Sequence, residues 1–176
     1  MRDVDVSNAV RAFLVPREGT LTIEQRSGYV CIWCPTVLRP GQGIPLGGAG
    51  TWHPHACTPC HTIQGQALTA YLAWNDHVTD CVVCRTGPCE TSLSLRHATV
   101  QTRERAEWRP ACTSCNAAFA PGEGFVPRMW LGASRVALSF LHLGPCAYPF
   151  LSSLGGDDGP HLGYGRRPLR PPPAEG

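Results

Sequence analysis

The chain of 176 residues contains no lysine. All fifteen basic residues are arginine, and with the abundant alanine, glycine and proline this marks a GC-rich genome rather than an activity. Charge of either sign is scarce, at 16% of residues, with a formal net charge of +2. No apolar run is long enough to span a membrane, and residues 1–6 hold no stretch of signal-peptide character. A cytoplasmic location with no membrane partner is expected. Catalytic signatures are missing as well: there is no His-Glu-x-x-His, no His-x-Glu followed by Pro-Cys-x-x-Cys, and no glycine-rich loop for phosphates. Asp76-His77 starts as an HNH nuclease motif starts, but the asparagine and second histidine do not follow. The expectation is a protein that is not an enzyme.

Glycine and proline are plentiful, at 19 and 17 residues, so turns should be many and regular elements short. A loop-rich chain with a modest core needs cross-links, and the ten cysteines can supply them. Eight form Cys-x-x-Cys pairs: Cys31/Cys34, Cys57/Cys60, Cys81/Cys84 and Cys112/Cys115. Two thiols three residues apart can face one tetrahedral ion, whereas a structural disulfide across so short a loop is unusual. A reducing compartment disfavours disulfides further. Zinc is therefore the expected cofactor. Ten thiolates and three Zn²⁺ ions would turn the formal charge from +2 to −2, leaving no global attraction to nucleic acid.

Residues 1–28 form an N-terminal extension. Val10, Phe13, Leu14 and Val15 suit a short helix or strand stopped by Pro16 and Gly19, and residues 21–26 alternate as a strand does. Tyr29 and Val30 lead into Cys31-Ile32-Trp33-Cys34 as a strand leads into a zinc knuckle. The 22 residues between Cys34 and Cys57 are rich in glycine and proline and suit an irregular hairpin. Cys57-Thr58-Pro59-Cys60 then opens a helix with Leu68, Tyr71, Leu72 and Trp74 on its apolar face. Knuckle, hairpin and Cys-x-x-Cys on a first helical turn make a treble-clef-like zinc module over residues 29–76, with ligands Cys31, Cys34, Cys57 and Cys60. The positive end of the helix dipole suits the net −2 of a zinc tetrathiolate. His53, His55 and His61 crowd this region, but with four cysteines in register they read as exposed loop residues.

The far end of the helix carries His77, Cys81, Cys84 and Cys89. His77 and Cys81 share a helical face, and Cys84 and Cys89 bracket a turn, making a helical zinc module over residues 77–108 with three cysteines and one histidine. A second helix is expected over residues 90–108, with Leu93, Val100 and His97 inward. Arg96, Arg103, Arg105 and Arg109, partly balanced by Glu104 and Glu107, form either a mixed solvated face or a phosphate-contacting surface for nucleic acid. Over residues 109–151, Cys112 and Cys115 precede two strands, at 125–131 and 135–141, separated by a turn. His142 and Cys146 follow, so these four ligands would close a third site across a β-hairpin. Residues 152–176 lack hydrophobic periodicity and read as a disordered tail, in which Arg166, Arg167 and Arg170 beside three prolines could be a weak interaction motif.

Ten cysteines and two histidines thus fill three four-coordinate sites with no thiol left over. A rival division with two zinc ions pairs Cys81/Cys84 with Cys112/Cys115, and strands Cys89 and Cys146.

The sequence of parts, Cys31/Cys34, then Trp52-x-Pro54-x-x-Cys57-x-x-Cys60 and a helix, then His77-x3-Cys81-x2-Cys84, resembles uncharacterised multi-zinc proteins of actinobacteria. The resemblance covers most of residues 29–89 and implies zinc binding but no activity. The segment from His77 to Cys84 also resembles the motif of zinc-binding anti-sigma factors, whose metal-bound thiols can respond to oxidation. It implies an alternative function as a redox sensor or regulator centred on Cys81, Cys84 and Cys89. Cys81-x2-Cys84-x4-Cys89 is similar to the cysteine cluster of WhiB-like iron–sulfur regulators, but differs by one residue in spacing and lacks their Gly-Val-Trp-Gly-Gly turn. An iron–sulfur cluster here would need a fourth thiol from Cys57 or Cys60. Cys112-x2-Cys115-x26-His142-x3-Cys146 is loosely similar to the zinc fingers of poly(ADP-ribose) polymerases, which bind DNA ends, with its last spacing one residue longer. The expectation is a small, loop-rich, zinc-stabilised α+β chain that binds a protein or nucleic-acid partner as an adaptor, with transcription regulation among its possible roles.

Overall fold

The computed structural model describes residues 5–16, 18–109, 111–120, 122–131, 136–144 and 146–147. The expected tail at 152–176, including Arg166, Arg167 and Arg170, lies outside the described residues. Within them the chain is a small α+β fold with four α-helices and two antiparallel sheets of two strands each.

Helix α1 (Val6–Leu14) begins where the Asp5 carboxylate accepts hydrogen bonds from the amides of Ser7 and Asn8. It buries Ala9 and Val10. The strand expected over residues 21–26 is instead a single helical turn, α2 (Ile23–Arg26). The reason is local: Thr22 Oγ1 accepts from the Gln25 amide at 3.2 Å, and Gln25 Oε1 accepts from the Thr22 amide at 3.0 Å. This reciprocal capping box decides against the alternating pattern, and Ile23 is left 70% exposed.

The loop between the first two thiol pairs folds back on itself through β1 (Ile44–Pro45) and β2 (His55–Ala56), which pair Ile44 with Ala56 and Pro45 with His55. Gly48 turns the chain there at φ +126°, and a Cβ at this position would run into the carbonyl oxygen of Trp52. Only glycine combines that conformation with that approach.

Helix α3 (Thr58–Asp80) is the axis of the molecule. Its 23 residues span about 34 Å at 1.5 Å per residue. Pro59 lies in the first turn, where a missing N–H leaves no helical bond unmade. Two cores hang on this helix. One gathers Val10, Ile32, Leu38, Leu46 and Ala56 around Leu68. The other gathers Phe125, Val126, Phe140 and Leu141 around Tyr71, Trp74 and Val78. Leu72 packs against both. The second core is aromatic, with Phe140 edge-on to Tyr71 at 5.2 Å and to Phe125 at 5.4 Å, a geometry that adds about 0.5–1.5 kcal/mol per pair to the burial itself.

Helix α4 (Glu90–Arg105) packs along α3. Its inward residues are Ser92 and Thr99, not the expected Leu93 and His97, which are exposed. Val100 is half-buried against the aromatic core. The seam is built on hydroxyls: Trp74 Nε1 donates to Ser92 Oγ at 3.0 Å, and Thr99 Oγ1 donates to the Ala70 carbonyl at 3.2 Å. The helix stops at Arg105 rather than 108, because Glu107 takes φ +56° and leaves the helical region. Strands β3 (Phe125–Leu131) and β4 (Val136–His142) form an antiparallel hairpin in register from Phe125↔His142 to Leu131↔Val136. Among the described residues no helix is long and apolar enough to cross a membrane.

Candidate metal centres

Three clusters of four donors each lie on this frame: Cys31, Cys34, Cys57 and Cys60; His77, Cys81, Cys84 and Cys89; Cys112, Cys115, His142 and Cys146. Within each, the four donor atoms lie within 4.8 Å of one another. The ten cysteines are free thiols. The rival pairing of Cys81/Cys84 with Cys112/Cys115 does not occur, since each pair sits in a different cluster. Cys57 and Cys60 likewise lie with Cys31 and Cys34, away from the second cluster.

The first cluster is built on a knuckle. Val30 bridges to Val37, and the Cys31 amide donates to the Thr36 carbonyl at 2.9 Å. This tight loop points Cys31 and Cys34 the same way. Cys57 caps α3, and its amide donates to Cys31 Sγ at 3.3 Å, while its own sulfur lies 3.8 Å from Cys34 Sγ. Cys60 follows on the first helical turn. His53 is exposed, His55 is half-buried in β2 and His61 is half-buried on α3, so the last two are not the loop residues expected. None of the three belongs to the cluster.

The second cluster joins the end of α3 to the start of α4. His77 Nε2 lies 3.0 Å from Cys89 Sγ and 3.5 Å from Cys84 Sγ. Cys89 Sγ is 3.6 Å from Cys84 Sγ and 4.0 Å from Cys81 Sγ. Cys89 is also the N-cap of α4, accepting from the Ser92 amide at 3.4 Å.

The third cluster repeats the knuckle. Ala111 bridges to Ala118, and the Cys112 amide donates to the Ala117 carbonyl at 2.8 Å, the same offsets as at Val30 and Cys31. The amide of His142 acts on the Cys112 sulfur and lowers its pKa, in the place that the Cys57 amide takes at Cys31. His142 closes the site from the end of β4, with Nδ1 3.3 Å from Cys115 Sγ. Its other nitrogen, Nε2, lies 3.4 Å from Glu123 Oε2. A carboxylate behind a ligating imidazole fixes its orientation and raises its basicity. The Pro121-Gly122-Glu123-Gly124 stretch reads in sequence only as a turn, and Glu123 carries no ligand spacing that would have singled it out.

These distances fit one ion per cluster. Four donors at about 2.3 Å around a tetrahedral centre stand about 3.8 Å apart, whereas a disulfide would need about 2.05 Å. The thiols are electrostatically unequal. Burial opposes ionisation of Cys112, but amides of His142, Cys115 and Ser114 outweigh it and bring its pKa down to about 6. Cys34 comes down to about 7 against burial, through the Thr36 hydroxyl and amide. Cys89 comes down to about 6, chiefly through the Ser92 amide. Burial pushes up Cys31 and Cys60, and takes Cys84 and Cys146 to about 11. Each cluster therefore pairs one thiol of lowered pKa with at least one that burial holds up: Cys34 with Cys31 and Cys60, Cys89 with Cys84, and Cys112 with Cys146.

Of the four arginines singled out from sequence, Arg96, Arg103 and Arg109 line one cleft between α4 and the turn that follows the knuckle of the third cluster. Arg105 faces elsewhere, lining a groove with Val6 and the α3 residues Gly65 and Thr69. Comparison of the chain with family models, with curated proteins and with solved structures finds no match.

Proposed function

We propose that this chain is a zinc-stabilised binding protein in which three zinc ions hold the fold and do no chemistry. The observation that carries this is the closure of each cluster: four protein donors per group satisfy a tetrahedral ion and leave no position for water or substrate, which a catalytic zinc requires. Thiolate and imidazole donors in tetrahedral sets suit zinc above hard cations. The knuckle, the short hairpin and Cys57 and Cys60 at the head of α3 support a treble-clef-like arrangement for the first module. The proposed role is binding of a protein or nucleic acid with a regulatory purpose, since structural metals leave the surface of the frame rather than the ions to act. The test is elemental analysis of the purified chain with circular dichroism before and after chelation. Three zinc ions per chain and loss of the fold on chelation are expected. Two zinc ions, iron with sulfide, or a chelated chain that keeps its fold would overturn the proposal.

One observation favours a second role, as a thiol-redox sensor. Cys89 is half-exposed, is held near pKa 6, and has Cys84 and Cys81 within 3.6 and 4.0 Å, a thiolate beside two resolving thiols. Mild peroxide should then release one metal from this cluster before the others. Thiols that stay inert at this treatment would sink the sensor role.

A further inference from the structure

The cleft between α4 and the turn after the knuckle of the third cluster has a volume of about 680 Å³ and is lined by Arg96, Arg103 and Arg109 together with Phe119, Phe125 and Glu123. Arg96 and Arg103 are seven apart on one face of α4, and Arg109 lies just past its end. Both helical guanidiniums stand over the Phe125 ring, at 4.9 and 5.1 Å from its centroid, and Arg103 also reaches Phe140 at 5.8 Å. Aromatic packing thus holds the charges in place.

The arginines are not used up by the fold. Arg96 donates to the Glu123 carbonyl at 2.7 Å, leaving most of its five donors available. The Nε and NH1 atoms of Arg103 are buried and have no hydrogen-bond partner among the described residues. These two atoms are shut from solvent with the guanidinium over the Phe125 and Phe140 rings, so a ligand meets Arg103 through the part of its side chain that lines the cleft. Two carboxylates share the lining, Glu104 and Glu123. Glu123 is already engaged, accepting from the Ala120 amide at 2.8 Å and facing His142. Among the described residues no carboxylate forms an ion pair with any of the three arginines. Burial lowers the pKa of Arg103; Glu104 opposes this and the like charges of Arg109 and Arg96 add to it.

We infer that this cleft binds a terminal phosphoryl group, a phosphomonoester dianion, with Arg103 at its base and Arg96 and Arg109 at its walls. Planar guanidiniums match phosphate oxygens in paired hydrogen bonds, and a doubly charged end group can enter a cleft and reach the seated Arg103. A phosphodiester within a strand carries one charge and stays at the surface. The volume lies within the range of about 300–1,000 Å³ typical of small-ligand sites. The ligand is either a small phosphorylated molecule or the phosphorylated end of a nucleic-acid strand; the shared chemistry is the monoester. The inference rests on the binding-protein proposal only in taking the nearby third metal as structural.

The test uses the full, metal-loaded chain. Calorimetry with inorganic phosphate and a nucleoside 5′-monophosphate, and with an oligonucleotide bearing or lacking a 5′-phosphate, reads the affinity and its source. Binding of phosphate and the monophosphate supports a small-molecule ligand. Binding only of the 5′-phosphorylated strand supports a strand end. Arg109→Gln, at an exposed position, and Arg103→Lys, which keeps the charge and the stem, should each weaken binding about tenfold with metal content unchanged. An oligonucleotide bound equally with and without its 5′-phosphate, affinity untouched by both substitutions, or no binding of any probe would overturn the inference. Metal content measured on the same sample separates the two proposals: three zinc ions with no phosphate binding removes this one alone, and phosphate binding by a chain without the expected zinc removes the other alone.

Discussion

The Tyr71 hydroxyl donates to the Ser139 carbonyl at 2.9 Å and accepts from the Ser139 amide at 3.0 Å. One side chain of α3 thereby satisfies both backbone groups of a buried residue in β4, and welds the helix to the hairpin that ends in His142. Tyr71→Phe keeps the ring and its packing but orphans both Ser139 groups. The cost should be about 1–3 kcal/mol, read as a lower midpoint in denaturant unfolding of the metal-loaded protein with little change in slope.

Metal and protons should compete at all three clusters. Folding the free thiols together holds Cys34, Cys89 and Cys112 near 7, 6 and 6, and pushes up Cys31, Cys60, Cys84 and Cys146. The metal-free chain is expected to unfold, which returns its thiols to a pKa of about 8.5 and leaves most of them protonated near pH 8, so loading should release at least four protons. Affinity then rises with pH, and falls steeply as pH drops below the free-thiol range and protons compete with the metal for every sulfur. Titration of metal into lightly buffered protein, with proton release recorded across pH 6 to 8.5, checks the sign.

Glu123→Gln should loosen the third metal alone. The amide can still accept from Ala120 but is a weaker acceptor for His142 Nε2, now at 3.4 Å from the carboxylate. Loss of a carboxylate behind a ligating histidine typically costs about 10–100-fold in metal affinity. Competition with a chromogenic chelator should show one of three metals released earlier than in the unaltered protein, and the other two unchanged.

Gln64→Leu should be worse than its helical position suggests. Gln64 is buried in α3, where its Nε2 donates to the Ala106 carbonyl at 3.1 Å and its Oε1 accepts from Trp108 Nε1 at 2.8 Å. Leucine fills the space and leaves both partners without a mate, a loss of about 2–4 kcal/mol for two buried groups. Thermal unfolding of the metal-loaded chain reads it.

The long helix and the three donor sets were legible because ligand spacing and apolar spacing pointed the same way. Residues 57–60 head α3, and Leu68, Tyr71 and Trp74 lie on its buried side as their spacing required. Where the two signals were absent, pattern misled. The alternation at residues 21–26 yielded to one capping box at Thr22 and Gln25. The inward face of α4 carries no apolar signal because Ser92 and Thr99 are polar in type, and only the partners across the seam, Trp74 Nε1 and the Ala70 carbonyl, make them core residues. Arg105 was grouped with Arg96, Arg103 and Arg109 by proximity in sequence, but a helix places residues two apart on different sides. The Glu123 contact to His142 depends on a turn meeting a strand end, which no local pattern encodes.

The hang of both cores on α3 has a consequence for synthesis. Cys60 completes the first cluster and Cys89 the second, so both can close before residues 125–142 have been made. Tyr71, Trp74 and Val78 must then wait for Phe125 and Phe140 to cover them. At typical elongation rates the 53 residues from Cys89 to His142 take roughly 3–10 s. During that interval the nascent chain can hold two metals yet presents a bare aromatic stripe, which is where chaperone capture or mispairing between neighbouring chains on a polysome would act.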